Sequence, residues 1–339
     1  MMSAAAPARR RLGDRTVFPI GLGCMNLSHA YGVPPSPQAA RSLLETALDL
    51  GVDHFDTAAL YGFGRNEDLV GEVLAPFRER FCLASKCGMT GVDGKRVIDG
   101  RPETLKRTCE EALRRLRTDR IDLYYLHRVD RNVPVEDSIG ALSDLVRAGS
   151  IRAIGLSEVS AQTLRKAHAI HPIAAVQSEY SLWTRNPEFG VLEACRELGV
   201  AFVAFSPVGR GFLAGAVRDP DTLAEKDLRR GMPRFQAPHF ARNLEVFDRF
   251  AALAAEAGCS PAQLALAWLL ARAPHVIPIV GTTSIDHLRE NVAAAMLTID
   301  PAFIDRAAAC VDDTKISGPR YPAATQAEID TEERPQATR

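Results

Sequence analysis

The chain has 339 residues, of which 46% are hydrophobic and 24% charged, and its formal net charge is −1. This composition is ordinary for a folded globular protein and excludes a chain that is disordered over most of its length. A net charge this close to zero provides no overall field that would attract nucleic acid or an anionic membrane, so we expect neither as a partner.

The seven cysteines are an odd number and contain no C-x-x-C pair. We therefore expect free thiols in a cytoplasmic protein. No uninterrupted apolar run approaches the roughly 18–20 residues of a membrane span. The N-terminal segment MMSAAAPARRR also lacks an apolar stretch of signal-peptide length, and we expect its arginines to be solvated.

The first predicted element is a short hairpin over residues 10–17, because Gly13-Asp14 is a turn signal. Eight short β-rich apolar runs follow. Between them lie helical patterns, such as those that begin at Ser36-Pro37 and Ser260-Pro261, where a serine N-cap precedes a proline in the first turn. The runs cover residues 18–23, 52–56, 81–86, 121–127, 151–157, 173–177, 200–206 and 276–281.

Strands that alternate with helices indicate parallel βαβ units, and eight of them favour a closed (β/α)8 TIM barrel. We predict a single domain over residues 1–339, with the barrel at about 18–293 and the hairpin covering its bottom. A C-terminal helix and a polar tail, expected to be mobile at its end, occupy about 294–339. The segment 209–243 exceeds ordinary loop length and is predicted to be a functional lid.

A polar residue follows the apolar part of most runs, where this type of barrel forms its active site. Taken singly, each has an ordinary explanation, such as a turn cap for Asp56 or a semi-buried hydrogen-bonded role for His127. Together they favour one shared site. They are Asp56, Lys86, His127, Ser157, Gln177, Ser206 and the Gly281-Thr282-Thr283 segment.

Tyr61 lies five residues after Asp56, in the loop that can lean over the barrel mouth. Free tyrosine has a pKa of about 10 and is a weak acid at neutral pH. A lysine held charged by Asp56 is expected to lower that pKa and make Tyr61 a usable general acid. His127 is expected to orient a carbonyl oxygen. No metal is expected, because His127 has no further ligand at metal-binding spacing.

Seven segments resemble successive motifs of the aldo-keto reductase superfamily, in family order, over roughly residues 10–295. They are most similar to the branch that contains perakine reductase and related bacterial enzymes. The segments are FDTAALYGFGRNEDLVGEVL, ASKCG, YYLHRVD, GLSEVS, AVQSEYSLW, AFSPVGRGFLAG and IPIVGTTSIDHLRENVAA.

The resemblance implies NADPH-dependent reduction of an aldehyde or ketone to the alcohol, with Asp56, Tyr61, Lys86 and His127 as the catalytic tetrad. The role of Glu158, where the family often has Asn, stays open. Ser157 and Gln177 are expected at the nicotinamide carboxamide, and Phe205 against the nicotinamide ring. The residues from 206 to 210 are expected along the pyrophosphate, and those from 281 to 291 at the adenosine. The cofactor-binding residues implied are Met25, Asp56, Ser157, Gln177, Phe205, Ser206, Val208, Gly209, Arg210, Gly281, Thr282, Thr283, Ser284, His287, Glu290 and Asn291.

Two other functions remain open at this stage. Potassium-channel β subunits also resemble the family and act as partner modules with a bound cofactor, so the fold alone does not establish turnover. A Schiff-base isomerase or aldolase would need a neutral Lys86, which Asp56 disfavours. The substrate pocket is expected near Met25, Tyr31, Met89, Arg128, Trp183 and the lid.

A mild preference for NADPH over NADH is expected. Relatives often carry Lys or Arg beside the adenosine 2′-phosphate, whereas this chain has Thr283, Ser284 and His287 there. Hydroxyls and a helix N-terminus can still donate to a phosphate, and no carboxylate lies at 282–285 to repel it. The sequence selects neither the carbonyl substrate nor an oligomeric state.

Overall fold

The computed structural model of the chain describes residues 7–92, 95–312 and 314–334. Its centre is a closed barrel of eight parallel strands, which confirms the predicted (β/α)8 fold. The first six residues of the MMSAAAPARRR segment and residues 335–339 of the tail lie outside the described residues.

The barrel strands follow one another around the ring in chain order, and each predicted run overlaps one of them. The first run is the least accurate, because only its last three residues are a strand. A second hairpin, β6–β7, was not predicted. The strands are β1 (Arg10–Leu12), β2 (Arg15–Val17), β3 (Gly21–Gly23), β4 (His54–Asp56), β5 (Cys82–Cys87), β6 (Met89–Val92), β7 (Lys95–Ile98), β8 (Ile121–Leu126), β9 (Ile151–Ser157), β10 (Ile173–Glu179), β11 (Ala201–Phe205) and β12 (Val276–Val280).

Helices connect the barrel strands, and their first turns have the predicted caps. The hydroxyl of Ser36 accepts from the Ala39 amide at 3.2 Å, and Ser260 forms a reciprocal capping box with Gln263. The helices are α1 (Pro37–Asp49), α2 (Arg65–Leu74), α3 (Pro102–Leu116), α4 (Val135–Arg147), α5 (Ala161–His168), α6 (Val191–Leu198), α7 (His239–Glu256), α8 (Pro261–Arg272), α9 (Ile285–Ala293), α10 (Pro301–Cys310) and α11 (Ala323–Gln326).

Of the helices in the described part of the chain, no single one is long and apolar enough to cross a membrane. Helices α7 and α8 meet the length and composition only when taken together, and they are bent by 84° at their junction.

The β1–β2 hairpin closes the N-terminal end of the barrel, as predicted. Its Leu12 and Val17 are buried with barrel-interior residues such as Leu123. The guanidinium of Arg10 donates to the carbonyl oxygens of Leu270 at 2.5 Å and Ala273 at 2.7 Å, at the end of α8. Because the hairpin occupies this end, an open site must form at the C-terminal ends of the strands.

The predicted lid is shorter than expected. Helix α7 begins at His239, so the last part of the 209–243 segment is helix, and Asn243 is buried within it. Short 3-10 helices make up much of the remainder. The Leu228 amide donates to the Ala30 carbonyl at 2.9 Å, and the Asp227 carboxylate accepts from the Gly32 amide at 2.8 Å. The lid therefore lies against the loop that follows β3.

Side-chain contacts join the described part of the C-terminal tail to the barrel. The Asp330 carboxylate accepts from the hydroxyls of Ser160 at 2.9 Å and Thr163 at 2.6 Å, at the start of α5. Arg320 is buried and pairs with two glutamates of the barrel, Glu158 and Glu179. These contacts hold the tail across the barrel mouth, which composition alone does not predict.

Candidate active site

A cavity of about 880 Å³ opens at the C-terminal ends of the barrel strands. Of the predicted tetrad, Asp56, Tyr61 and His127 line it, while Lys86 lies fully buried behind them. The parallel register brings these residues together, because Asp56 ends β4, Lys86 lies near the end of β5, and His127 directly follows β8.

Lys86 is the centre of the polar contacts in this group. Its ammonium donates to the carboxylate of Asp56, to the Thr57 carbonyl at 2.9 Å and to the Tyr61 hydroxyl at 3.2 Å. Burial acts to lower the pKa of Lys86, but Asp56 and Tyr61 outweigh it, so the pKa is raised and the lysine stays charged. This charge opposes the Schiff-base alternative, which needs a neutral amine.

The expected low pKa of Tyr61 does not follow from this geometry. Burial of the phenol raises its pKa above the ordinary value, Lys86 lowers it and Asp56 raises it, and the net direction is upward. The prediction from sequence weighed the ammonium but not the cost of removing a phenolate from water. Tyr61 is therefore protonated at neutral pH, as a proton donor must be.

His127 packs edge-on against the Tyr61 ring, with centroids 5.9 Å apart. Burial, together with Arg128 and Lys86, holds the pKa of His127 well below its ordinary value, so the imidazole is neutral. Its Nδ1 is buried and has no partner within the described residues. A neutral imidazole carries one N–H, which can donate to an oxygen placed beside Tyr61.

Ser157 and Gln177, expected at the carboxamide, are both buried at the cavity wall. The Gln177 amide nitrogen donates to Asp56 at 2.7 Å. The Ser157 hydroxyl accepts from Arg128 at 3.3 Å. Gln177 therefore connects the expected carboxamide position to Asp56, and Ser157 connects it to Arg128, the residue after His127.

Most residues expected along the cofactor line the same cavity. Gly209 and Ser284 do not: Gly209 is buried at the start of the lid, and Ser284 caps α9 by accepting from the His287 amide at 3.3 Å. Those that do line it are Met25, Asp56, Ser157, Gln177, Phe205, Ser206, Val208, Arg210, Gly281, Thr282, Thr283, His287, Glu290 and Asn291.

Arg210 makes protein contacts that the sequence did not reveal. Its guanidinium donates to Glu179 at 2.6 Å and to the hydroxyls of Tyr31 and Tyr321, both at 2.9 Å. The ion pair with Glu179 compensates the charge of Arg210, which belongs to the segment expected along the pyrophosphate. Any contact of Arg210 with the cofactor would therefore be made by a guanidinium that is already paired with the Glu179 carboxylate.

The cavity has features that fit a long anionic cofactor. After the Ser284 cap, the N–H groups of Ile285 and Asp286 at the start of α9 remain without intrahelical acceptors, which suits a phosphate. Asn26 lines the cavity with a buried side-chain oxygen that lacks a donor within the described residues. A Cβ at Gly281 would lie 3.1 Å from that oxygen, so glycine keeps this wall open.

Glu158, whose role was open, faces the tail. Its carboxylate accepts from the Glu179 amide at 2.8 Å and from Arg320 at 2.7 Å, and its φ is +57°. Burial acts to raise the pKa of Glu179, but Arg210 and Arg320 outweigh this effect and lower the pKa to about 2. Two buried acids at strand ends signal a need for cations, but the sequence does not indicate Arg320 as one of them.

Of the residues predicted for the substrate pocket, Met25, Tyr31, Met89 and Arg128 line the cavity. Trp183 does not. It is buried beneath the lid, where it stacks on Phe212 with centroids 4.2 Å apart. The aromatic side chains of the lid form a core with it, which is the ordinary role of such residues.

A family model described as the aldo/keto reductase family matches residues 19–312. A Schizosaccharomyces pombe protein, aldo-keto reductase yakc, whose name specifies NADP(+), is 40% identical over 94% of this chain and 96% of that relative. A probable aldo-keto reductase of Glycine max is 42% identical over 90% of this chain and 88% of the relative.

Solved structures of the same kind superpose on the barrel. The glycerol dehydrogenase of Gluconobacter oxydans has a TM-score of 0.82 and 28% identity, with 95% of this chain and 99% of that chain covered. An aldo/keto reductase of Klebsiella pneumoniae, in complex with NADP and acetate, has a TM-score of 0.69 and 25% identity, with 95% and 98% covered.

Proposed function

The chain belongs to the aldo/keto reductase family, and from this premise we propose that it reduces an aldehyde or ketone to the alcohol with NADPH as the reductant. The Schizosaccharomyces pombe relative, whose name specifies NADP(+), and the NADP-bound neighbour support the choice of cofactor. The observation that carries the mechanism is the Lys86 ammonium, bound to Asp56 and 3.2 Å from the Tyr61 hydroxyl at the cavity wall.

NADPH, when bound, supplies a hydride to the carbonyl carbon. Tyr61 donates its proton to the carbonyl oxygen, and the positive charge of Lys86 stabilises the phenolate that remains. His127 donates a hydrogen bond to the same oxygen and orients it. Asp56 keeps Lys86 charged and in place through a buried ion pair.

The residues assigned to the cofactor divide along the cavity. Gln177 and Ser157 would hold the carboxamide, and Phe205 would contact the nicotinamide ring. The segment 206–210 would bind the pyrophosphate, and the start of α9 would receive the adenosine end with its phosphate. This order leaves the space beside Tyr61, His127 and Arg128 for the carbonyl substrate.

The test is steady-state turnover of NADPH with a panel of aldehydes, followed by the absorbance of the reduced nicotinamide. Repeated turnover is the expected result. A single stoichiometric oxidation of bound NADPH would instead favour a regulatory module that resembles potassium-channel β subunits. Failure to bind NADPH would contradict both functions.

A further inference from the structure

Four arginines line the cavity, and their pairing differs. Arg210 pairs with Glu179 at 2.6 Å, Arg229 with Asp227 at 2.7 Å, and Arg96 with Glu328 at 2.5 Å. The fourth has no carboxylate partner anywhere in residues 7–92, 95–312 and 314–334. That arginine is Arg128.

The hydrogen bonds of Arg128 leave most of its donors unused. Its Nη1 donates to the His127 carbonyl at 2.7 Å and to the Ser157 hydroxyl at 3.3 Å. Its Nε is buried and has no acceptor among the described residues. A guanidinium has five N–H donors, and removing its charge from water is costly without an anion or further acceptors. The side chain is therefore held in the wall with its charge uncompensated.

The location of Arg128 points to the substrate and not to the phosphates of the cofactor. It directly follows His127 and donates to that residue's carbonyl, at the end of the cavity where the tetrad lies. The expected pyrophosphate and adenosine positions, at 206–210 and 281–291, belong to other strands. Three cations act on the His127 imidazole and lower its pKa: Arg128, Lys86 and Arg96.

Two of these three cations are neutralised by partners, since Lys86 pairs with Asp56 and Arg96 with Glu328. Arg128 thus leaves a net positive charge beside the position of the substrate oxygen. An anion is the ligand that such a charge recognises most strongly, and a guanidinium favours planar carboxylates through charge-assisted hydrogen bonds.

We propose that Arg128 binds a carboxylate on the carbonyl substrate, so that the preferred substrates are aldehydes or ketones that carry an acid group. This inference rests on the proposed reductase function. The competing explanation is that Arg128 only positions Ser157 for the nicotinamide. In that case its loss would impair every substrate to the same degree and would weaken NADPH binding.

The experiment compares matched acidic and neutral aldehydes: 4-formylbenzoate with its methyl ester, and succinic semialdehyde with butanal. We expect the wild type to prefer the acid of each pair in kcat/KM by about 10-fold or more, the magnitude of one charged hydrogen bond. Arg128→Gln should abolish the preference by raising KM for the acids while the neutral aldehydes change little. Arg128→Lys should retain part of it.

Arg107→Gln is the control, because it removes the same charge from an exposed position on α3, and its preference should equal that of the wild type. NADPH affinity, measured by fluorescence titration, should be unchanged in Arg128→Gln. Equal kcat/KM for acid and neutral aldehyde in the wild type would overturn the inference. So would an equal loss for both classes in Arg128→Gln. If none of the four aldehydes is reduced, the result counts against the reductase function itself.

Discussion

Gln177 donates from Nε2 to Oδ2 of Asp56 at 2.7 Å, across the barrel from β10 to β4. The other carboxylate oxygen of Asp56 accepts from Lys86. The residue that we assign to the nicotinamide carboxamide therefore also holds the orientation of the Asp56–Lys86 ion pair. In the proposed mechanism, cofactor binding and proton donation share this contact.

Replacing Gln177 should affect both functions. Gln177→Met keeps the length of the side chain but removes the donor to Asp56 and the polar contact with the carboxamide. We expect kcat to fall about 10-fold and NADPH to bind more weakly. Steady-state kinetics and fluorescence titration measure the two effects, with the exposed Gln38→Met on α1 as the control. A change in NADPH affinity alone would show that the contact with Asp56 is not used in catalysis.

The pH dependence of reduction follows from the raised pKa of Tyr61. A general acid is active below its pKa, so raising the pKa moves the alkaline loss of activity to higher pH. We expect kcat for aldehyde reduction to be flat from about pH 6 to 9 and to decline only above about pH 10, the ordinary value for tyrosine. In Lys86→Met the decline in kcat should occur at a still higher pH, because this variant lacks the ammonium that lowers the pKa of Tyr61. A wild-type decline centred below pH 8 would contradict this assignment.

The tail contact of Arg320 should contribute strongly to stability. Arg320→Met leaves Glu158 and Glu179 buried with one cation fewer, and we expect the free energy of unfolding to fall by about 3–5 kcal/mol. Because Glu179 has a depressed pKa of about 2, its stabilisation is complete above the ordinary value and is lost as the pH falls towards 2. The difference in the free energy of unfolding between Arg320→Met and the wild type should therefore become smaller below about pH 4.

Denaturant unfolding at pH 7 and pH 3 measures this difference, with the exposed Arg107→Met as the control. Equal stabilities of Arg320→Met and wild type at pH 7 would mean that the tail contact contributes nothing.

The choice of cofactor depends on the start of α9. His287 is exposed there, lines the cavity and has no carboxylate partner within the described residues, whereas Arg289 pairs with Asp286 at 3.6 Å. We expect a mild preference for NADPH, and His287→Arg should increase it by about 10-fold through a charge-assisted contact with the 2′-phosphate. The ratio of kcat/KM for NADPH and NADH measures it. If this ratio is unchanged in His287→Arg, the 2′-phosphate does not bind beside residue 287.

Local patterns in the sequence were sufficient for the barrel and for the position of the tetrad. Parallel strands align their C-terminal ends, so Asp56, Lys86 and His127 had to meet at one rim once the strands were recognised. The serine caps at Ser36 and Ser260 were equally predictable, because they depend on residues three positions apart.

Contacts between distant segments were not predictable in this way. The pairing of Arg320 with Glu158 joins residues 162 positions apart, and nothing in the polar tail indicates which barrel residue it meets. Trp183 was assigned to the pocket because aromatic residues serve both as core and as pocket walls. The upward pKa of Tyr61 depends on how completely the phenol is buried, which sequence spacing does not reveal.

The central claim is that Tyr61 donates the proton. The most direct measurement is the single-turnover rate of aldehyde reduction by Tyr61→Phe, mixed as its NADPH complex with saturating aldehyde. The ring remains, so the affinity for NADPH should be close to that of the wild type. We predict a rate at least about 100-fold lower. A rate equal to that of the wild type, with NADPH bound normally, would contradict the mechanism.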